Sequence, residues 1–167
     1  MTIHSLTTLP EKGLRQRAKP VENFDKDLQQ LLDDMIETMR QAPGVGLAAP
    51  QIGVSKRVIV VEFGHEDDET IPKQLYVVIN PEIEDLSTDT VAGVEGCLSV
   101  PGVVGEVQRA RVVTVHGQNA QGKQIRIRAE GWLARIFQHE IDHVNGVLYT
   151  DRAETLWKPE PEETESI

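Results

Sequence analysis

The chain has 167 residues, a net charge of −10 and one cysteine. That length suits a single domain with a sizeable core. A lone cysteine excludes an internal disulfide framework, which makes a reducing compartment the simpler assumption. The acidic balance argues against direct nucleic-acid binding, where basic patches supply the affinity. Met1 to Leu6 has neither the basic start nor the apolar core of a signal peptide. No apolar run approaches the roughly 20 residues that span a bilayer. The expectation is a cytoplasmic protein with no membrane contact.

Residues 24–41 predict an amphipathic helix, because Leu28, Leu31, Leu32, Met35, Ile36 and Met39 recur at three- and four-residue steps. Asn23 or Asp25 is placed to cap it and Pro43-Gly44 to stop it. Residues 44–53 (GVGLAAPQIG) are rich in Gly and Ala, which favours a tight loop or a strand closely approached by something else. Val58–Val61 and Leu75–Ile79 predict strands. The acidic run between them (Glu62, Glu66, Asp67, Asp68, Glu69) reads as a solvated loop or hairpin tip. Asn80-Pro81 signals a turn, and residues 82–95 are mixed and polar. Val112–Val115 and Gln124–Arg128 flank Gly117 and Gln121-Gly122, which predicts a hairpin. A second helix is expected from about Glu130 to Asn145, closed by Gly146. The elements make one α+β domain over residues 1–152. The acidic, proline-broken segment 153–167 is expected to be disordered.

The strongest local signal is His139-Glu140-Ile141-Asp142-His143. Residues four apart share a helix face, so two imidazoles can grip one metal ion, with Glu140 beside them to take a proton from water. A polar helix face with two unliganded histidines is the competing explanation. A catalytic site wants a third protein ligand and one open position. No His follows His143 and the nearest downstream acids are Asp151 and Glu154, so the candidate lies upstream. There Cys97 is the only thiol, with a small buried hydrophobe as its competing reading.

Three blocks, Gly44-Val45-Gly46-Leu47-Ala48-Ala49-Pro50-Gln51, Glu95-Gly96-Cys97-Leu98-Ser99 and Gln138-His139-Glu140-Ile141-Asp142-His143, resemble the three motifs of the peptide deformylases in order and spacing. The resemblance runs from about Leu9 through Asp151. It implies mixed, mostly antiparallel sheets packed around a central helix that carries the H-E-x-x-H motif. The implied activity is removal of the formyl group from the N-terminal formylmethionine of nascent polypeptides, with release of formate. Cys97, His139 and His143 would hold one divalent metal ion per chain, with water as fourth ligand, and Glu140 would act as base and then acid. Gln51, through its side-chain amide, and Leu98, through its backbone N–H, would donate to the oxyanion. The resemblance favours Fe(II), while one thiolate and two imidazoles also suit Zn(II), Ni(II) or Co(II).

Trp132, Arg135 and Ile136 precede His139 by seven, four and three residues and so project to its side of the helix. Ile136, Trp132 and Val45 are candidate linings of an apolar slot for the methionine side chain, with Gly44 and Gly46 letting the peptide backbone approach. Plain core packing is the competing reading for Ile136 and Trp132. Glu95 is a candidate acceptor that orients a ligating His or Arg109. Two features depart from the family pattern: Val104 stands where many members have an arginine that holds the peptide, and the tail is too short for the long C-terminal helix of many bacterial members. The expected partners are nascent formylmethionyl peptides, with transient proximity to ribosomes and a monomeric state, in a bacterial cytoplasm or encoded by a phage acting there. An H-E-x-x-H peptidase and a non-catalytic metal-binding domain are the alternatives.

Overall fold

The computed structural model describes residues 2–8, 12–65 and 67–159. Its first long element is helix α1 (Lys26–Gln41), capped by the Asp25 side chain, which accepts from the Leu28 N–H. Leu28, Leu32, Met35 and Met39 are its buried stripe. They pack into one apolar cluster with Leu47, Ile52, Val58 and Val60.

Strands β1 (Gly46–Ala48), β2 (Val58–Phe63) and β3 (Gln74–Leu86) follow. Next come β4 (Thr90–Cys97), β5 (Val100–Ala110), β6 (Val112–Gln118) and β7 (Gln124–Glu130). Helix α2 (Gly131–Val144), the short helix α3 (Tyr149–Arg152) and strand β8 (Thr155–Trp157) complete the order. Two sheets result, β1-β2-β3-β6-β7 and β4-β5-β8, with every pairing between these strands antiparallel. Helix α2 packs against strands of both sheets, which makes it the central helix of an α+β fold. Its inner face joins Ile136, Phe137, Ile141 and Val144 to Ile59, Val61, Val78, Val113 and Val115. Gly146 ends it with φ 78°, a conformation that costs glycine little.

The hairpin predicted across residues 112–128 is present as β6–β7, and β2–β3 brackets Asp67, Asp68 and Glu69 of the acidic run. Glu62 instead lies within β2, bonded by Arg40, and Glu66 lies outside the described residues. Three expectations need correction. Asn80-Pro81 does not end β3. Asn80 takes φ 53° and the register with β6 shifts between Ile79 and Glu82, so the pair forms a bulge. The Asn80 amide secures it by accepting from the Val21 N–H and donating to the Val21 carbonyl. Residues 82–95, read as mixed and polar, instead complete β3 and supply most of β4, which pairs with β5 in a hairpin turning at Leu98-Ser99 with Cys97 opposite Val100. The segment expected to be disordered from residue 153 instead supplies β8, which pairs with Val104–Glu106 of β5 and lays Leu156 over Gly105. Residues 160–167 of that segment lie outside the described residues.

Candidate metal centre

Helix α2 presents His139 and His143 on one face, their ring centroids 5.0 Å apart. Cys97 ends β4 at the hairpin turn, and its Sγ lies 3.3 Å from His143 Nε2. One ligand atom from each of Cys97, His139 and His143 lies within 4.8 Å of the others, and all three residues are buried. His139 Nε2 and His143 Nδ1 are buried without a hydrogen-bond partner, as are both carboxylate oxygens of Glu140. Orphaned buried polar atoms are costly. A soft thiolate and two imidazoles at this separation are a donor set that fits a divalent transition metal.

Glu95 fixes the tautomer of the first histidine. Its Oε1 lies 2.8 Å from His139 Nδ1 and accepts from Arg109 Nη2. An ionised carboxylate only accepts, so Nδ1 carries a proton and Nε2 is the nitrogen that faces the site. Burial works to protonate Glu95, but the hydrogen bonds from Arg109 and His139 outweigh it and hold the carboxyl well below the usual range. Burial disfavours charge on His139, yet the Cys97 sulfur and Glu95 raise its pKa to about 10, so a metal bound there would displace the Nε2 proton. Burial, reinforced by His139, depresses the pKa of His143. Thus Glu95 contacts both partners proposed for it, His139 and Arg109. Sequence alone gives no sign that Arg109 continues to Asp142 (2.7 Å) and Asp142 to Arg152 (2.6 Å).

The glycine-rich block builds the opposite wall. Ala48 N–H donates to Gln51 Oε1 (3.0 Å), so the Gln51 amide nitrogen faces Cys97 Sγ (3.7 Å) and Ser99 Oγ (3.2 Å). Ser99, in the same turn as Leu98, is a partner the motifs contained without revealing. A Cβ on Gly46 would lie 2.5 Å from Glu140 Oε2, and one on Gly44 would lie 3.3 Å from Leu98 Cδ1. The glycines therefore make room for Glu140 and Leu98, a use that sequence did not reveal beside the expected approach of a peptide. Burial raises the Glu140 pKa to about 7.

Among the residues expected to line an apolar slot, Ile136 is fully buried in the core cluster, while Val45 and Trp132 are half-buried at its margin. Core packing accounts for Ile136. Val104 is also buried, paired between Gly96 of β4 and Trp157 of β8. Tyr149, unremarked in sequence, stacks on His139 and donates to the Val103 carbonyl (2.7 Å). No helix among the described residues is long and apolar enough to cross a membrane.

Comparison with known proteins places the whole arrangement. A sequence model described as polypeptide deformylase matches residues 3–158. A peptide deformylase of Symbiobacterium thermophilum is 53% identical over 156 residues, which cover 93% of this chain and 69% of that protein. Among solved structures, the peptide deformylase of Thermotoga maritima superposes with a TM-score of 0.85 at 41% identity, covering 93% of this chain and 100% of that one. A class I type b enzyme from Acinetobacter baumannii, solved with Met-Ala-Ser bound, gives a TM-score of 0.84 at 39% identity, covering 90% and 98%. The sequence match and the fold agree over nearly the whole chain, and this chain belongs to the peptide deformylase family.

Proposed function

We propose that this chain hydrolyses the formyl group from the N-terminal formylmethionine of nascent polypeptides, releasing formate, with Cys97, His139 and His143 holding one divalent ion. The observation that carries the reading is the set of buried, unpartnered atoms on α2, His139 Nε2 and both Glu140 oxygens, on the helix face that also meets the Cys97 sulfur. When bound, the ion supplies Lewis-acid polarisation and brings the pKa of water towards 7. Glu140 accepts the proton of the attacking water and returns it to the departing amine nitrogen. A carboxyl whose pKa is raised to about 7 by burial suits both halves of that transfer. The Gln51 amide and the Leu98 N–H donate to the oxyanion, positions already set by the Ala48 N–H and by the hairpin turn.

Val45 and Trp132, at the margin of the core, take the methionine side chain, with Gly44 and Gly46 beside the peptide main chain. Val104 offers no charge to that peptide, so affinity rests on main-chain and side-chain contacts. The product of the reaction on a formylated tripeptide is a free Met-peptide, the kind of molecule found on the Acinetobacter baumannii relative. The ion is Fe(II) in the cell, with Zn(II), Ni(II) or Co(II) as substitutes. The catalytic unit is a monomeric single domain that includes β8, working in the cytoplasm close to ribosomes.

The test is to incubate the metal-loaded protein anaerobically with formyl-Met-Ala-Ser and with unformylated Met-Ala-Ser, measuring formate and new amines. Formate from the first peptide and no cleavage of the second is the expected result. Cleavage of peptide bonds in both identifies a peptidase instead, and silence at full metal occupancy overturns catalysis. Glu140→Ala keeps the metal and loses turnover.

A further inference from the structure

Arg135 lies one helical turn before His139 on α2 and is nearly fully buried. None of the steps above uses it. A buried guanidinium is expensive unless every donor is placed, and here the placement is specific. Arg135 Nη1 donates to Glu95 Oε2 at 2.6 Å and to the Val107 carbonyl at 3.0 Å, while Nη2 donates to the Val91 carbonyl at 2.6 Å. The side chain thereby joins α2 to β4 and β5 at once. Gly93 admits it, since a Cβ there would lie 2.7 Å from Arg135 Cζ. The Trp132 ring covers it at 5.5 Å.

Glu95 has only about four lone-pair sites, and all four are taken. Oε1 receives His139 Nδ1 and Arg109 Nη2, and Oε2 receives Arg109 Nε and Arg135 Nη1. Arg109 grips both oxygens through Nε and Nη2 and so sets the plane of the carboxylate from β5, while its third donor reaches Asp142 at 2.7 Å. Arg135 comes from α2, the helix that carries His139, and is anchored on the strand that carries Glu95. It therefore ties Glu95 directly to the helix that carries the imidazole and sets the distance between the two.

We propose that Arg135 is a positioning residue of the metal centre, acting through Glu95 to hold the His139 ring with Nε2 aimed at the ion. The proposal rests on His139 being a ligand, as read above.

The test is a double-mutant cycle on the full chain, with Co(II) affinity measured by chelator competition and the Co(II)–thiolate absorption recorded. Loss of a partner behind a ligand typically weakens binding by about 10- to 100-fold. Arg135→Met is expected to weaken Co(II) binding within that range and shift the ligand-field bands, as is Glu95→Gln. In the Glu95→Gln background, Arg135→Met is expected to add about threefold or less, because the path to His139 is already cut. Arg135→Lys, which keeps a charged donor for Glu95 but not the fork, recovers part of the affinity. If Arg135→Met does not fold, Arg135→Gln supplies the same cycle, since it can still bond the Val107 or Val91 carbonyl. Multiplying effects in the double variant, or an unchanged affinity and spectrum in the single one, overturns the proposal and leaves Arg135 as a strut between strands. A wild-type protein that binds Co(II) with no thiolate band overturns the ligand set itself, and this inference with it.

Discussion

Gly46 and Glu140 occupy adjoining space with nothing to spare: a Cβ on the glycine would sit 2.9 Å from both Cγ and Cδ of the glutamate. The strand that carries Gly46 and the helix that carries Glu140 are both buried there, so neither yields easily. Gly46→Ala should displace the carboxylate while sparing Cys97, His139 and His143. The expected result is a fall in kcat of about 10²-fold, the worth of a positioned base, with metal content near one per chain by elemental analysis. Normal turnover would show that Glu140 is not held by this contact.

Gln51→Leu removes the amide that faces Cys97 and Ser99 and keeps the volume. Loss of one oxyanion donor typically costs about 3–4 kcal/mol in the transition state. We expect kcat to drop by about 10²- to 10³-fold, with KM and metal content little changed in steady-state assays. Ser99→Ala leaves that donor in place and should cost far less.

The turn that holds Gln51 is tied down from the N-terminal side, because the Thr7 N–H donates to the Gln51 carbonyl at 2.6 Å. Proline cannot donate there. Thr7→Pro is expected to lower kcat by about tenfold, whereas Thr7→Val, which keeps the N–H, should match the wild type. Equal effects from both would assign the change to the side chain rather than to the backbone bond.

The same N-terminal segment has a pH-sensitive anchor. His4 Nε2 lies 3.0 Å from Asp34 Oδ2, and the Asp34 carboxylate also accepts from the Thr2 N–H and from Gln30. The His4 bond is the largest cause of the lowered Asp34 pKa. The unfolded chain therefore takes up this proton at higher pH than the folded one. The stabilisation is present above the ordinary aspartate range near pH 4 and disappears as the pH falls through the depressed value. His4→Ala should cost stability in chemical denaturation at pH 6, and the cost should shrink as the pH falls below the ordinary aspartate range. A cost independent of pH across that range would have another cause.

Both histidines were legible in the sequence because a helix repeats every 3.6 residues and needs no distant partner to place them on one face. Cys97 was legible because no other thiol competes with it, and Gln51 because of the block around it. The β4–β5 hairpin was not, and the reason is physical. Gly93, Gly96, Pro101, Gly102 and Gly105 weaken any strand signal, yet the first and last are needed to admit Arg135 and Leu156. Asn80-Pro81 carries the chemistry of a turn, and only pairing with β6 and the bond to Val21 convert it to a bulge. Arg135 could be placed on the His139 side of α2 from spacing alone, but its partner Glu95 is 40 residues away in sequence. No local pattern encodes a contact of that kind.

The Cys97–His139 arrangement has a mechanical side as well. The sulfur ends a hairpin of the small sheet, whereas the imidazole belongs to the helix seated on the large one. An ion held by both closes a loop of about 40 residues, a restraint that the chain-entropy model values at about 4 kcal/mol when the link is permanent. The centre is thus a clasp between two halves of the fold. Stripping it with a chelator should free amide exchange first along β4 and β5, while β2 and β3 stay protected.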